Sequence, residues 1–251
     1  MELILERELD HQKKAVDALI SALDGVSMIK PRLSYENPSF DRKELRLIHN
    51  IAEVQKGIRA DYRGCRDDGD YLNLDVKMET GTGKTYVYTQ TIYEMHKKFG
   101  FNKFIIAVPS LPIKAGTSQF IADSYVKHHF SDACGYNADI ELGVLESPKK
   151  KKKGSVSMKS GLFISVLKRL SAKKKRFLAM PSAVRDYVTG SCQNTNKIYV
   201  LLVNMQLLTN GNMLTRSDYD YLVEGFYRPF DALKATKPVV IIDEPHRFSR
   251  D

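Results

Sequence analysis

Two short stretches far apart in the chain hold residue types suited to phosphate chemistry. The first, Met78-Glu79-Thr80-Gly81-Thr82-Gly83-Lys84-Thr85, fits the phosphate-loop pattern G-x-x-x-x-G-K-[ST] except at its first position, where Met78 replaces glycine. Gly81 and Gly83 let the main chain approach phosphate oxygens without a Cβ. The N–H groups of Gly81 to Thr85 can form an anion nest, to which a helix N-terminus adds partial positive charge. Lys84 would reach the β- and γ-phosphates as a point charge, and the Thr85 hydroxyl would ligate Mg²⁺. Thr80, Gly81, Thr82, Gly83, Lys84 and Thr85 are therefore the expected nucleotide-binding residues. The second stretch, Val239-Val240-Ile241-Ile242-Asp243-Glu244-Pro245-His246, is an apolar run ending in two carboxylates. Asp243 is placed to hold the metal and Glu244 to orient and polarise an attacking water, which makes the pair hydrolytic. Lys84, Asp243 and Glu244 form the candidate catalytic set, with Thr85 and Asp243 as metal ligands. His246 either couples this site to a neighbouring element or is a surface histidine at a turn; both readings stand.

Positioning these groups requires strands that end where they begin. Tyr71 to Met78 alternates like a strand and leads into the phosphate loop. Tyr86 to Phe99 reads as a helix stopped by Gly100. Lys103 to Val108 is a short apolar run closed by Pro109, and a helical stretch from Pro112 to about His129 follows. Ile140–Leu145, Ile198–Val203 and Val239–Ile242 are further aliphatic runs of the kind buried in a parallel sheet. Upstream, apolar spacing predicts helices over about 10–23 and 42–60, the first ending before Gly25. The reading is an open α/β sheet with helices on both faces, residues 1–70 forming an N-terminal helical segment and 71–251 the sheet domain.

Composition narrows the classes. Of 251 residues, 43% are apolar and 27% charged, near the average for globular chains, so disorder is excluded as a default. No apolar run approaches the ~20 residues needed to span a bilayer, and Met1 to Glu8 lacks the basic-then-apolar order of a signal peptide, which points to the cytoplasm. Cys65, Cys134 and Cys192 show no zinc-type spacing and suggest neither a disulfide framework nor a metal site. The net charge of +9 is concentrated: residues 147–176 hold twelve Lys and Arg and no acid, leaving 27 basic against 30 acidic residues elsewhere. This Lys-rich insertion, with a short helix expected over 165–170, is compatible with a solvated loop and with contact to a phosphate backbone.

The pair of motifs resembles superfamily 2 helicases and translocases. The spellings Thr80-Gly81-Thr82-Gly83-Lys84-Thr85 and Asp243-Glu244-Pro245-His246 resemble those of the Res subunit of type III restriction endonucleases, over essentially the whole chain. The resemblance implies the first lobe of a RecA-like P-loop domain that binds ATP and Mg²⁺. In the complete protein it implies an ATP-driven motor acting on double-stranded DNA, a site-specific endonuclease activity and a Mod-type methyltransferase partner, serving restriction of phage DNA. Three weaker matches follow from it. Leu9-Asp10-His11-Gln12 resembles the adenine-reading glutamine element and nominates Gln12; a solvent-facing helix residue is the alternative. Val108-Pro109-Ser110 and Val203-Asn204-Met205-Gln206 resemble segments on the nucleic-acid side and nominate Pro109, Ser110, Asn204 and Gln206, against an ordinary strand end and a polar turn.

The same resemblance leads one to expect a further motif, a second RecA-like lobe with an arginine finger, and a nuclease domain. The chain reaches Asp251 without them, so it is expected to be a fragment or a truncated product with slow turnover by itself. Another superfamily 2 helicase, or a catalytically idle nucleotide-binding module, would share the present motifs.

Overall fold

In a computed structural model, the described residues are 5–6, 9–58, 71–146, 180–209, 212–216, 219 and 223–247. The Lys-rich stretch 147–176, its expected short helix and Cys65 lie outside them.

Four parallel strands form the sheet: β1 (Lys103–Val108), β2 (Asp139–Val144), β3 (Lys197–Asn204) and β4 (Val239–Ile242), in the order β2-β3-β1-β4. Their registers bring Val108 beside Asn204 and Ala107 beside Ile242, so the C-terminal ends of β1, β3 and β4 lie along one edge. Alternate residues of the central strands enter two cores. Phe104, Ile106 and Val108 join Val200 and Leu202 on one face, whereas Ile105 and Ala107 join Leu201 and Val203 on the other. Burial on both sides is why these strands read as unbroken aliphatic runs.

The first core is closed by α1 (Asp10–Ala22), α2 (Leu45–Gly57) and α3 (Lys84–Phe99), through Val16, Ile20, Leu47, Ile51, Val87 and Ile92. Helix α3 starts at Gly83 and stops at Gly100, both at positive φ (82° and 76°), with His96, Lys97 and Lys98 complementing the negative end of its dipole. The second core is covered by α6 (Ser182–Thr189), α8 (Asn212–Thr215) and α9 (Pro229–Ala235), through Val184, Tyr187, Val188, Leu214, Ala232 and Leu233. That cover stops short of β4: Val240 and Ile242 remain 49% and 42% exposed.

Between β1 and β2 the single helix expected from Pro112 to about His129 is two helices, α4 (Leu111–Ala122) and α5 (Ser124–His128), followed by a π turn over His129–Ala133. The break falls at Asp123, whose carboxylate accepts from Tyr125 N at 2.7 Å and caps α5. A short α7 (Met205–Thr209) leaves β3 directly.

The strand expected over Tyr71–Met78 is absent: residues 72–79 belong to no helix and to no ladder. Their alternation is nonetheless real in packing, since Leu72, Leu74 and Met78 lie against the first core. Period-2 patterning reports which side chains are covered and not which backbone pairs with which.

One polar residue joins sheet to connections. Asn37, fully buried, donates from Nδ2 to the carbonyls of Lys103 (2.8 Å) and Lys237 (3.1 Å). Its Oδ1 accepts from the N–H groups of Asn102 (2.8 Å) and Lys103 (2.9 Å). It thereby fixes the starts of β1 and β4 relative to each other.

A phosphate loop facing a strand-end carboxylate pair

The loop before α3 is shaped by its glycines. Gly81 and Gly83 adopt φ of 83° and 82°, a region costly for residues with a Cβ. Thr82 Oγ1 donates to the Glu79 carbonyl at 2.7 Å and closes the turn. A Cβ on Gly83 would crowd the Gln12 amide, so glycine lets that side chain close on the loop as well as meeting the φ. Gln12 is buried, and its Nε2 donates to the Thr82 carbonyl at 3.1 Å. His11 Nε2 reaches the same carbonyl at 3.1 Å. Two consecutive side chains of α1 thus hold the loop from behind. Gln12, nominated from the sequence as the adenine reader, is buried against the loop and not a solvent-facing helix residue, while His11, with no signal beyond its place beside Gln12, was not anticipated.

On β4, the Asp243 N–H donates to the Ala107 carbonyl at 3.0 Å, extending the ladder one residue past the strand. Glu244 then turns into the left-handed region at φ 52°, a strained position for a residue with a side chain. The turn sends its carboxylate toward the loop: Lys84 Nζ lies 3.9 Å from Glu244 Oε1, with the two side chains 29% and 13% exposed. The one-turn 3₁₀ helix Pro245–Arg247 brings Arg247 Nε to 2.6 Å from Glu244 Oε2. That contact is an ion pair without a directed hydrogen bond, since among the described residues Oε2 accepts none.

Burial holds the Asp243 carboxyl above its ordinary range; Glu244 pushes the same way and Lys84 opposes. Tyr88, one turn along α3, bonds Thr117 Oγ1 of α4 at 3.0 Å. Burial raises its phenol, hydrogen bonds with Thr117 and Thr85 oppose the rise, and the Asp243 charge adds to it. Tyr88 thus senses both Thr85 and the Asp243 charge. The donor set fits Mg²⁺: a hydroxyl and a carboxylate are hard oxygen ligands, and a carboxylate disfavoured by burial gains from a cation. Among the described residues no cluster of three or more His, Cys, Asp or Glu could hold a metal by itself.

The remaining candidates share the same sheet edge. Pro109 and Ser110 follow β1, and Ser110 caps α4 by accepting from Ile113 N at 3.5 Å. Asn204 ends β3 buried, its Oδ1 accepting from Gln206 N at 3.0 Å, while Gln206 itself is exposed. His246 lies in the turn after Glu244 and is exposed.

A parallel sheet with a nucleotide-type loop opening a helix beside an acid pair at a strand end defines the P-loop helicase class. Residues 7–251 match the family "Type III restriction enzyme, res subunit", and the chain belongs to that family. It is 37% identical over 247 residues to the type III restriction-modification enzyme EcoPI Res subunit of Escherichia phage P1, a match covering 97% of this chain and 23% of the relative. It is 36% identical to the EcoP15I Res subunit of Escherichia coli, over 97% of this chain and 23% of the relative. Identity to the StyLTI Res subunit of Salmonella typhimurium is also 36%, over 99% of this chain and 20% of the relative. The chain therefore spans about a fifth to a quarter of the length of these curated relatives. Among the described residues no helix is long and apolar enough to cross a membrane.

Proposed function

We propose that this chain is the ATP-binding lobe of a DNA-dependent ATPase and translocase that operates in type III restriction, in the cytoplasm. Family membership supports the class, and the approach of Lys84 to Glu244 is the observation that supports the site. Bound Mg²⁺, which Thr85 and Asp243 would hold, would supply positive charge against the triphosphate. Around it, the N–H groups of Gly81 to Thr85 receive phosphate oxygens, and Lys84 leaves Glu244 for the phosphates. Glu244 accepts a hydrogen bond from the attacking water and orients it. Gln12 sets the loop and reads the base edge, and His11 shares the first of these tasks.

Pro109, Ser110 and Gln206, at the strand-end edge, touch the backbone of double-stranded DNA, with Asn204 fixing the turn that presents Gln206. Helices α1 and α2 serve as the adenine-side cover of the sheet domain. A second RecA-like lobe supplies the cation that completes hydrolysis, worth about 10³-fold or more in rate. A Mod-type methyltransferase supplies site recognition, and the nuclease activity resides in another part of the full-length polypeptide.

Glu244→Gln in the full-length motor tests this reading. The variant should retain Mg·ATP affinity by calorimetry while DNA-stimulated turnover falls by ~10²-fold or more. Undiminished turnover would remove Glu244 from the water and overturn the mechanism.

A further inference from the structure

The carboxylate of Glu244 lies between two cations, one per oxygen: Oε1 faces Lys84 at 3.9 Å and Oε2 faces Arg247 at 2.6 Å. Lys84 belongs to the phosphate loop and is drawn toward the triphosphate when nucleotide binds. Arg247 has no such call on it, because it is carried by the same turn as Glu244. Its N–H donates to the Glu244 carbonyl at 3.0 Å, and in a 3₁₀ turn residues three apart eclipse, which stacks the guanidinium over the carboxylate. The left-handed φ of 52° at Glu244 and the fixed φ of Pro245 leave that turn little freedom to relax.

We propose that Arg247 is the positioning residue for Glu244: it holds Oε2, leaving Oε1 as the oxygen presented to the water. It also takes over compensation of the carboxylate charge once Lys84 has moved to the phosphates. A carboxylate only 13% exposed would otherwise lose its nearest cation as the γ-phosphate arrives, and mutual repulsion would swing it out of line. The Nε contact, short but without a hydrogen bond directed at Oε2, suits this role. It fixes the side chain by charge at the oxygen that is closed off from solvent, and Oε1 stays available to the water.

This inference rests on the hydrolytic reading of Glu244, and the experiment separates the two. Arg247→Ala, Arg247→Gln and Arg247→Lys are made in the full-length motor beside Glu244→Gln. ATP turnover, KM and affinity for Mg²⁺ with a non-hydrolysable ATP analogue are measured for each, with melting temperature as the check on folding. The expected result for Arg247→Ala and Arg247→Gln is a kcat about tenfold lower with KM and analogue affinity unchanged. Arg247→Lys should recover part of the loss, since an ammonium three residues on still reaches the carboxylate. Wild-type kcat in Arg247→Gln alongside a dead Glu244→Gln would overturn the role of Arg247 and spare that of Glu244. Analogue affinity falling in step with kcat would also overturn it, by making Arg247 a phosphate ligand. Turnover surviving in Glu244→Gln would instead fail the hydrolytic reading, and this inference with it.

Discussion

Lys84 Nζ stands 3.9 Å from Glu244 Oε1, joining the start of α3 to the end of β4 within one site. The pair is partly solvent-exposed, so its contribution to folding is small, on the order of a few tenths of a kcal/mol. In the proposed function the pair parks the ammonium beside the position the phosphates would take. Lys84→Ala should therefore leave the melting temperature almost unchanged while weakening Mg·ATP roughly 100-fold, the scale of a lost charge-assisted contact of about 3 kcal/mol. Calorimetry decides: wild-type affinity would remove Lys84 from the nucleotide site.

Asp243 carries a stability cost that a cation relieves. Its carboxyl is raised by burial first and by Glu244 next, against the opposing charge of Lys84. A raised carboxyl holds its proton more tightly in the folded state than in the unfolded one. Stability is therefore lost as pH climbs from the ordinary carboxylate value through the raised one. Asp243→Asn should accordingly melt at or above the wild type at pH 7, with the gap closing as pH falls toward 4. The same substitution should reduce Mg²⁺-dependent nucleotide affinity by about tenfold or more, as for a lost metal ligand. A variant that melts below the wild type at pH 7 would contradict the argument.

Sequence reached the chemistry more fully than the scaffold. Lys103–Val108 was readable to the residue because a strand buried on both faces leaves an uninterrupted aliphatic run, and Val239–Ile242 leaves the same kind of run although Val240 and Ile242 face outward. That Lys84 and Glu244 would come together was readable because phosphate chemistry tolerates few residue types at that spacing. The Tyr71–Met78 strand was misjudged because alternation records one-sided covering, which an unpaired chain over the first core also satisfies. Asp123 was read through as helix although an acid followed by Ser124 is a capping signal. Helix α6 did carry a signal, Val184, Tyr187 and Val188 at i, i+3 and i+4. The left-handed Glu244, the His11 contact to Thr82 and the burial of Asn37 had none, since each depends on what the fold brings alongside.

Asn37 is where the scaffold should be most sensitive. All of its side-chain hydrogen-bonding groups serve main-chain atoms at the starts of β1 and β4, and the residue is fully buried. Asn37→Ala strands two N–H groups and two carbonyls, and each unsatisfied buried group costs about 1–3 kcal/mol. A loss of roughly 3 kcal/mol or more is expected in urea unfolding. Asn37→Asp should fare little better, because a carboxylate cannot donate to the Lys103 and Lys237 carbonyls. Stability within 1 kcal/mol of wild type, a figure on the order of one hydrogen bond's net worth, would mean that the strand starts are fixed by other contacts.

Lys103 gives the domain a pH signature of opposite sign to that of Asp243. Its ammonium is fully buried at the start of β1, donates to the carbonyls of Tyr187 and Gly190, and lies over the Tyr199 ring at 4.1 Å. Burial lowers its pKa from 10.5 to about 8. In the window from about 8 to 10.5 the unfolded chain holds a proton that the folded chain has released, so stability rises with pH across that window. The slope cannot exceed about 1.4 kcal/mol per pH unit, the limit for one proton. Cys192 opposes it later, since burial pushes its thiol from 9.0 up to about 11 and stability falls as pH rises between those values. The clearest comparison is therefore urea unfolding of wild type and Lys103→Met between pH 7.5 and 9. The wild type should gain on the variant as pH rises. Parallel profiles would show that the folded chain keeps the Lys103 proton throughout, with the two carbonyls and the aromatic faces compensating the buried charge in full.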